Sequence, residues 1–346
     1  MGELHFVGLG LSSKGVSIEG VEELKAADVV YLEYYTMPHD PELLGEVQRA
    51  TDRQVVVVDR NFVEDGSKIL EEASKMRVAL AVMGDPMIAT THNELRVRAI
   101  GKGIKTRVIP AASIASASAS ASGLHYYKFS RTVTITRETV GRLTQAYHLL
   151  HQNLLEGAHT LILLEFDTAS GEGVAPAEAM DGLMKAESNF KREVVSGSTL
   201  ALVMSRVGRK SEKLAAGQLG ELRGKDFGEP PHSLVIPGTL HFTEVDAVAA
   251  ICSIDKIRVK GNSDTVRRTA QVLVPRYVEK TKKALASVRG RVGKEYEAVL
   301  ENAELYLKDA ENNLASGEDE VAMLNVGYAE GLIDSLSFSG KAAPTW

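Results

Sequence analysis

A glycine, a carboxylate and a proline interrupt the apolar stretch "VALAVMGDPMIATTH" (residues 78–92). Gly84 tolerates backbone conformations that other residues disfavour, and Pro86 fixes φ and removes a hydrogen-bond donor. Between them, Asp85 could accept hydrogen bonds from the hydroxyl or amino groups of a ligand, because open α/β sheets bind ligands at the carboxyl edge of their strands. The alternative is that Asp85 caps the next helix.

Three further polar side chains, Thr90, Thr91 and His92, follow this turn. They have two interpretations: they line the pocket at the sheet edge, or they begin the next helix. For His92 we favour the structural role over a role in the pocket.

A second glycine turn occurs near the amino terminus, in "FVGLGLSSKG" (residues 6–15). Glycines after a strand let backbone N–H groups approach a phosphate, as in dinucleotide-binding folds. The full fingerprint needs a third glycine, and Ser13 stands at that position. Glu33, at the end of the second predicted strand, could still hold a ribose. A nicotinamide or flavin site is therefore disfavoured, and a different cofactor or an ordinary strand-to-helix turn remains.

The elements around these turns alternate between strands and helices. Several strands are apolar throughout, which is typical of a mostly parallel sheet that is covered on both faces. The tract "ASIASASASASGL" (112–124) is either a linker or a helix of small residues; alanine favours helix, so we predict a helix. We predict strands at 4–10, 28–36, 53–59, 77–83, 105–111, 131–138, 159–167, 198–208 and 232–238, and helices at 17–27, 67–75, 94–103, 143–158 and 176–188.

Composition indicates a globular protein of several domains. The 346 residues are 44% hydrophobic and 25% charged, and no apolar run reaches the roughly 20 residues needed to span a bilayer. The single cysteine excludes an intrachain disulfide and a cysteine-based metal cluster, and with the absence of a signal-peptide pattern it predicts a cytoplasmic location. The net charge of −6 argues against a general nucleic-acid binder.

The last part of the chain differs in texture. Residues 256–294 contain 12 Lys and Arg against 2 Asp and Glu, whereas residues 295–334 contain 11 acidic residues against 1 Lys. Apolar residues from Leu300 to Leu332 keep helical spacing around a break at Gly317, which predicts an antiparallel pair of helices or a three-helix unit. The basic segment 256–294 could contact RNA; we favour instead pairing between the oppositely charged helices or docking on the enzyme.

Taken together, the two glycine turns resemble those of the class III S-adenosylmethionine-dependent methyltransferases, which have the tetrapyrrole-methylase fold. "FVGLGLSSKGVSIEGVEELKAADVVYLE" and the Gly-Asp-Pro turn carry this resemblance. Three further stretches resemble the diphthine synthase branch over roughly residues 3–255: "GDPMIATTHNELRVRA", "SGLHYYKFSRTVTI" and "DFGEPPHSLVIPGTLHFTE". The last 85 or so residues resemble a small archaeal helical family of unknown function.

The resemblance implies two α/β domains, mostly parallel or mixed in their sheets, with S-adenosylmethionine bound between them. It predicts domains at 1–112 and 113–258, followed by a helical extension at 259–346. No catalytic residue and no metal site follow from it, although His92, Glu33 and Tyr34 are conceivable general bases and water is an alternative. The resemblance carries the cofactor site onto Leu11, Asp85, Ile88, Ser113, Ile114, Leu164, Val207 and His232.

By the same resemblance, the chain methylates elongation factor 2. The acceptor is the amino group of a 3-amino-3-carboxypropyl arm on one histidine, which receives three methyl groups, and the usual state of the family is a homodimer. Ala112 and Ala115, the loop after "TVTITRE" and the segment "VAPAEAM" depart from the family pattern; we expect the cofactor pocket to be kept and the acceptor-side surface to differ. The alternatives are a related enzyme acting on a tetrapyrrole or ribosomal RNA, and a non-catalytic binding module.

Overall fold

The computed structural model describes residues 2–33, 35, 41–51, 54–168 and 170–346. The chain divides into two compact units. The first contains Met1–Ser188 and Val195–Asp264, and the second contains Asn189–Val194 and Thr265–Trp346. The predicted boundary between two domains within the first unit stays a prediction.

The first half of the larger unit forms a parallel five-stranded sheet in the order β3-β2-β4-β1-β5. Its central strands are almost entirely buried because apolar clusters cover both faces, which explains why they lack polar alternation. Its strands are β1 (Glu3–Gly8), β2 (Val29–Glu33), β3 (Val55–Val58), β4 (Arg77–Val82) and β5 (Lys105–Ile109). The helices are α1 (Ile18–Ala26), α2 (Pro41–Thr51), α3 (Arg60–Asp65), α4 (Ser67–Ala73) and α5 (His92–Gly101).

The serine–alanine tract forms a helix, α6 (Ile114–Ser122), as predicted. Its serines do not break it because they turn back onto the helix: the Ser122 hydroxyl donates to the Ser118 carbonyl at 2.6 Å. Both serines are fully buried, so small side chains allow close packing here. Gly123 ends the helix in the left-handed conformation.

The second sheet is mixed, in the order β11-β10-β12-β7-β6, and only β6 and β7 pair in parallel. The predicted strand at 159–167 is interrupted, and its end joins a separate hairpin of β8 and β9. Strand β11 was not predicted because "KLAAGQ" has few of the β-branched residues typical of strands. The strands are β6 (Val133–Ile135), β7 (Thr160–Leu164), β8 (Phe166–Asp167), β9 (Glu172–Gly173), β10 (Leu200–Ser205), β11 (Lys213–Gln218) and β12 (His232–Ile236). The helices around this sheet are α7 (Thr144–Leu155), α8 (Pro176–Phe190), α9 (Leu219–Leu222) and α10 (Phe242–Ile251).

The second unit is helical and contains α11 (Thr269–Val288), α12 (Glu297–Ala315) and α13 (Asp319–Phe338). These three helices agree with the predicted three-helix unit, and Pro275 lies within α11. Basic side chains of α11 pair with acidic side chains of the other helices: Lys282 with Glu311 at 2.7 Å, and Arg289 with Glu304 at 2.8 Å. These pairs support the interpretation that the oppositely charged helices pair with one another; an RNA contact stays a prediction. Among the helices of the described ranges, none has the length and hydropathy of a bilayer-spanning segment.

Candidate functional site

The two glycine turns meet. Gly10 and Gly84 exchange two backbone hydrogen bonds, of 3.2 Å from the Gly10 N–H and 2.8 Å from the Gly84 N–H. Both residues have a positive φ, of 70° and 71°, a conformation that glycine adopts without steric cost. The bridge holds the turns after β1 and β4 against each other at the carboxyl edge of the parallel sheet.

The Asp85 carboxylate joins the same edge to a third strand. Its two oxygens accept hydrogen bonds from the Met87 N–H at 2.9 Å and from the Ala111 N–H, beyond β5, at 3.1 Å. The alternative that Asp85 caps the next helix is wrong, because α5 begins at His92 with Thr91 in the capping position. An ionised carboxylate has further lone pairs, so Asp85 can still accept hydrogen bonds from a ligand.

The second sheet presents three of its strand ends to the same region. Strands β7 and β10 both run antiparallel to β12, so their carboxyl ends lie beside the start of β12. Leu164 ends β7, Val207 follows β10, and His232 begins β12 opposite Ser205. The His232 Nε2–H donates to the Gly228 carbonyl at 3.0 Å; burial lowers the pKa of the imidazole, and this hydrogen bond partly opposes that shift.

A cavity of about 420 Å³ lies between the strand ends of the two sheets. Its size is in the range of small-molecule sites, and its walls mix apolar side chains with a few polar groups. All eight residues of the predicted cofactor site line it: Leu11, Asp85, Ile88, Ser113, Ile114, Leu164, Val207 and His232. That these residues bind S-adenosylmethionine stays a prediction.

The conceivable general bases lie in different places. Glu33 lines the cavity although it is only 1% exposed, and its Oε1 accepts a hydrogen bond from the Tyr35 N–H at 3.5 Å. His92 is buried and is not among the cavity-lining residues; its Nδ1–H donates to the Pro86 carbonyl at 3.0 Å. Burial lowers its pKa, which this hydrogen bond partly opposes. Tyr34 lies outside the described residues.

Several lining residues were not predicted. For Thr90 the sequence left open whether it lines the pocket or begins the next helix; it lines the cavity, whereas Thr91 is not among the lining residues. The others lie within or directly after predicted strands, so the only available signal was a polar residue in or beside an apolar strand. They include Arg60, Thr134, Thr136, Glu165, Arg206 and Arg209.

The residues present fit a nucleoside-bearing sulfonium cofactor. Leu11, Ile88 and Val207 provide apolar surface for a purine ring, and Asp85 provides a carboxylate for hydroxyl or amino groups. Ser113 adds a hydroxyl at the start of α6.

Comparison with known proteins assigns the family. The model of the tetrapyrrole (corrin/porphyrin) methylases matches residues 3–223. Diphthine synthase of Methanothermobacter thermautotrophicus is 36% identical over 259 residues, which are 74% of this chain and 98% of that protein. The chain belongs to the diphthine synthase family. It is an S-adenosylmethionine-dependent methyltransferase of diphthamide biosynthesis, with the tetrapyrrole-methylase fold.

Other diphthine synthases agree. That of Methanosphaera stadtmanae is 34% identical over 74% of this chain and 98% of its own length. A crystal structure of a diphthine synthase has a TM-score of 0.65 at 30% identity, covering 76% of this chain and 99% of that one. The structure of a putative diphthine synthase from Entamoeba histolytica has the same TM-score at 29% identity, covering 72% of this chain and 98% of that one. These relatives do not favour the alternative that the chain methylates a tetrapyrrole or ribosomal RNA.

The helical unit matches a second family model. A model described as a protein of unknown function (DUF357) matches residues 276–342. This range lies within the second compact unit and includes α12 and α13.

Proposed function

We propose that the chain binds S-adenosylmethionine in the cavity between its two sheets and methylates a modified histidine of elongation factor 2. The acceptor is the amino group of the 3-amino-3-carboxypropyl arm, which is converted to diphthine. The observation that carries the proposal is the convergence of eight residues, from six different strand ends or turns, around one cavity of suitable size.

The chain's contribution is positioning and exclusion of water. When bound, S-adenosylmethionine supplies a methyl group on a positively charged sulfur, which an amine can attack directly. The apolar walls from Leu11, Ile88, Ile114 and Val207 keep water from this methyl group. Asp85, fixed by two backbone N–H groups, gives the site a rigid hydrogen-bond acceptor. Holding amine and methyl in line supplies much of the rate, since proximity replaces a bimolecular encounter.

The acceptor amine must be neutral at each attack. After the first and second transfers the nitrogen carries a positive charge and must lose a proton before it can react again. Glu33, which lines the cavity, and solvent water are the routes for that proton. The third transfer leaves a nitrogen with no lone pair, so the reaction ends by itself after three methyl groups.

A methylation assay tests the proposal. Purified protein is incubated with labelled S-adenosylmethionine and archaeal elongation factor 2 that carries the unmethylated arm. We expect label on that arm alone, and a loss of at least about tenfold in cofactor affinity for Asp85→Asn, because the new amide N–H₂ would face a backbone N–H. Asp59→Asn is the matched control, since asparagine also caps α3 and this exposed residue does not line the cavity.

The outcomes separate the parts of the proposal. Cofactor binding without methylation of the factor would contradict the substrate, and normal binding by Asp85→Asn would contradict the assigned site. The homodimer implied by the family is measured in the same samples by light scattering.

A further inference from the structure

Arg206, directly after β10, has a strained backbone at the cavity wall. Its φ is 54°, in the left-handed region that non-glycine residues rarely adopt. Its N–H donates to the Pro231 carbonyl at 3.0 Å, which ties it to the turn before β12. Strain of this kind persists where the surrounding structure holds it, and it is concentrated at ligand-binding sites.

Arg206 lines the cavity, and its guanidinium has no partner among the described residues. Its Nε is buried, yet in the part of the chain that the structure describes it has no hydrogen-bond acceptor, and the side chain forms no ion pair. A buried N–H of a charged group is costly to leave unsatisfied, so nearly all such groups in folded proteins have a partner. Because Arg206 lines the cavity, a ligand there can supply an acceptor to its guanidinium.

The neighbours of Arg206 place it in the proposed cofactor wall. Val207 follows it in the chain, and Ser205 before it pairs with His232 across β10 and β12. The turn continues to Gly208, where an added Cβ would lie 3.0 Å from the Leu11 Cβ. Arg206 therefore shares a wall with three residues predicted to bind the cofactor.

Guanidinium groups select carboxylates, because two parallel N–H groups match the two oxygens of a planar carboxylate. If the proposed function holds, the two ligands of this cavity each carry a carboxylate beside an amino group: the methionyl end of the cofactor and the arm of the acceptor. Both have the chemistry of an α-amino acid.

We propose that Arg206 binds the carboxylate of an α-amino-acid group in the cavity. This inference rests on the proposed function, from which it takes its ligand class. Arg206 is a binding residue for the carboxylate, and it acts on neither the methyl group nor the proton.

Calorimetric titration with S-adenosylhomocysteine, and with its decarboxylated analogue, tests the cofactor source. If Arg206 holds the cofactor carboxylate, Arg206→Gln lowers the affinity for S-adenosylhomocysteine by about 10- to 100-fold and leaves the affinity for the decarboxylated analogue unchanged. Arg206→Lys recovers part of the affinity. The matched control is Lys210→Gln, which removes a positive charge from the same turn but does not line the cavity.

Steady-state methylation of elongation factor 2 tests the acceptor source. If Arg206 holds the acceptor carboxylate, Arg206→Gln leaves the S-adenosylhomocysteine affinity unchanged and raises KM for the factor by a similar ratio. Arg206→Gly separates binding from folding. Glycine accepts the positive φ, so the Tm of this variant should not fall, although it loses affinity for the carboxylate ligand.

The results distinguish this inference from the proposed function. The inference alone is overturned if the wild-type protein methylates the factor and Arg206→Gln has the same affinity for S-adenosylhomocysteine and the same KM for the factor. A lower Tm for Arg206→Gly together with unchanged binding would assign Arg206 a structural role and also overturn it. A wild-type protein that does not bind S-adenosylhomocysteine overturns the proposed function and the inference with it.

Discussion

At the scale of single residues, Glu244 has the most specialised surroundings. The side chain is fully buried in the first unit, and burial by itself raises the pKa of its carboxyl. Hydrogen bonds to the ionised form outweigh this effect and lower the pKa to about 2. Its donors are Lys128 Nζ at 2.6 Å, His159 Nε2 at 2.9 Å, and the backbone N–H groups of His125 and His241, both at 2.8 Å.

This network explains two of the stretches on which the family resemblance depends. Lys128 belongs to "GLHYYKF", and Glu244 ends "PGTLHFTE". His159 lies just before β7, whereas Leu164 at the end of that strand lines the cavity. His159 and Leu164 are five residues apart along an extended strand, a distance of roughly 16 Å. The parts of the two stretches around Lys128 and Glu244 therefore stabilise the second sheet, whereas Thr134 and His232, in the same two stretches, line the cavity.

Lys128→Met should destabilise the first unit by about 3 kcal/mol, because it leaves the buried Glu244 carboxylate without its cationic partner. Urea unfolding followed by circular dichroism measures the effect. The double variant with Glu244→Gln should recover part of the loss, since no charge is then buried. An unchanged midpoint for Lys128→Met, or a weaker S-adenosylhomocysteine affinity in the folded variant, would contradict this assignment.

At the scale of elements, the site is built where strand ends are tied together. Neither glycine turn forms a pocket alone: the bridge between Gly10 and Gly84 joins β1 to β4, and Asp85 then reaches the end of β5. The second sheet contributes its own strand ends from β7, β10 and β12. Distortion of one turn should therefore affect both stability and cofactor binding.

Gly10→Ala should lower the free energy of unfolding by about 2 kcal/mol and weaken S-adenosylhomocysteine binding. The substitution strains a φ of 70°, and the new Cβ would lie 2.7 Å from the Gly15 carbonyl oxygen. Gly141→Ala is the control, because a Cβ there meets nothing within 4 Å. Unfolding and calorimetric titration measure both variants. Equal stability of the two would show that the Gly10 turn tolerates a side chain.

At the scale of the whole molecule, two units that match different family models are joined in one chain. The first unit carries the cavity and the family's methyltransferase fold. The second unit has its own apolar core between α11, α12 and α13, and ion pairs such as Lys282 with Glu311 neutralise part of its basic helix. The basic and acidic segments of the sequence therefore neutralise each other in part within that unit.

The stability of the first unit should fall as the pH drops below about 6.5. Burial lowers the pKa of His92, His159 and His232, so these side chains stay neutral in the folded state while the unfolded chain takes up protons. Their contribution is complete above the unfolded pKa of 6.5 and is lost below it. Because the pKa of Glu244 is lowered from 4.5 to about 2, the first unit loses further stability as the pH falls from 4.5 towards 2.

Hydrogen exchange in peptides from β7 and β12, corrected for intrinsic rates, measures this dependence between pH 7.5 and 5. We expect protection to decrease with pH, and His92→Gln, which cannot take up a proton in this range, to show a shallower decrease. Constant protection over this range would contradict the prediction.

The sequence by itself determined the features with local causes. Apolar runs and glycine breaks predicted most strands of both sheets, and the alanine content of residues 112–124 predicted α6. The eight cofactor residues came from resemblance to a family, because no local pattern indicates that Leu11 and Val207 lie on one cavity. Composition likewise indicated the change from an α/β region to a helical one.

Only the tertiary structure decided which side chains share the site. Asp85 bonds to a backbone N–H 26 residues away, and Arg206 lies beside residues from other strands. Such contacts depend on strand order and pairing direction, which local periodicity does not encode; β12 and β7 are antiparallel although alternation of strands and helices favours parallel pairing. That the Arg206 Nε has no acceptor among the described residues follows only from the tertiary structure, because it depends on which groups the fold places near it.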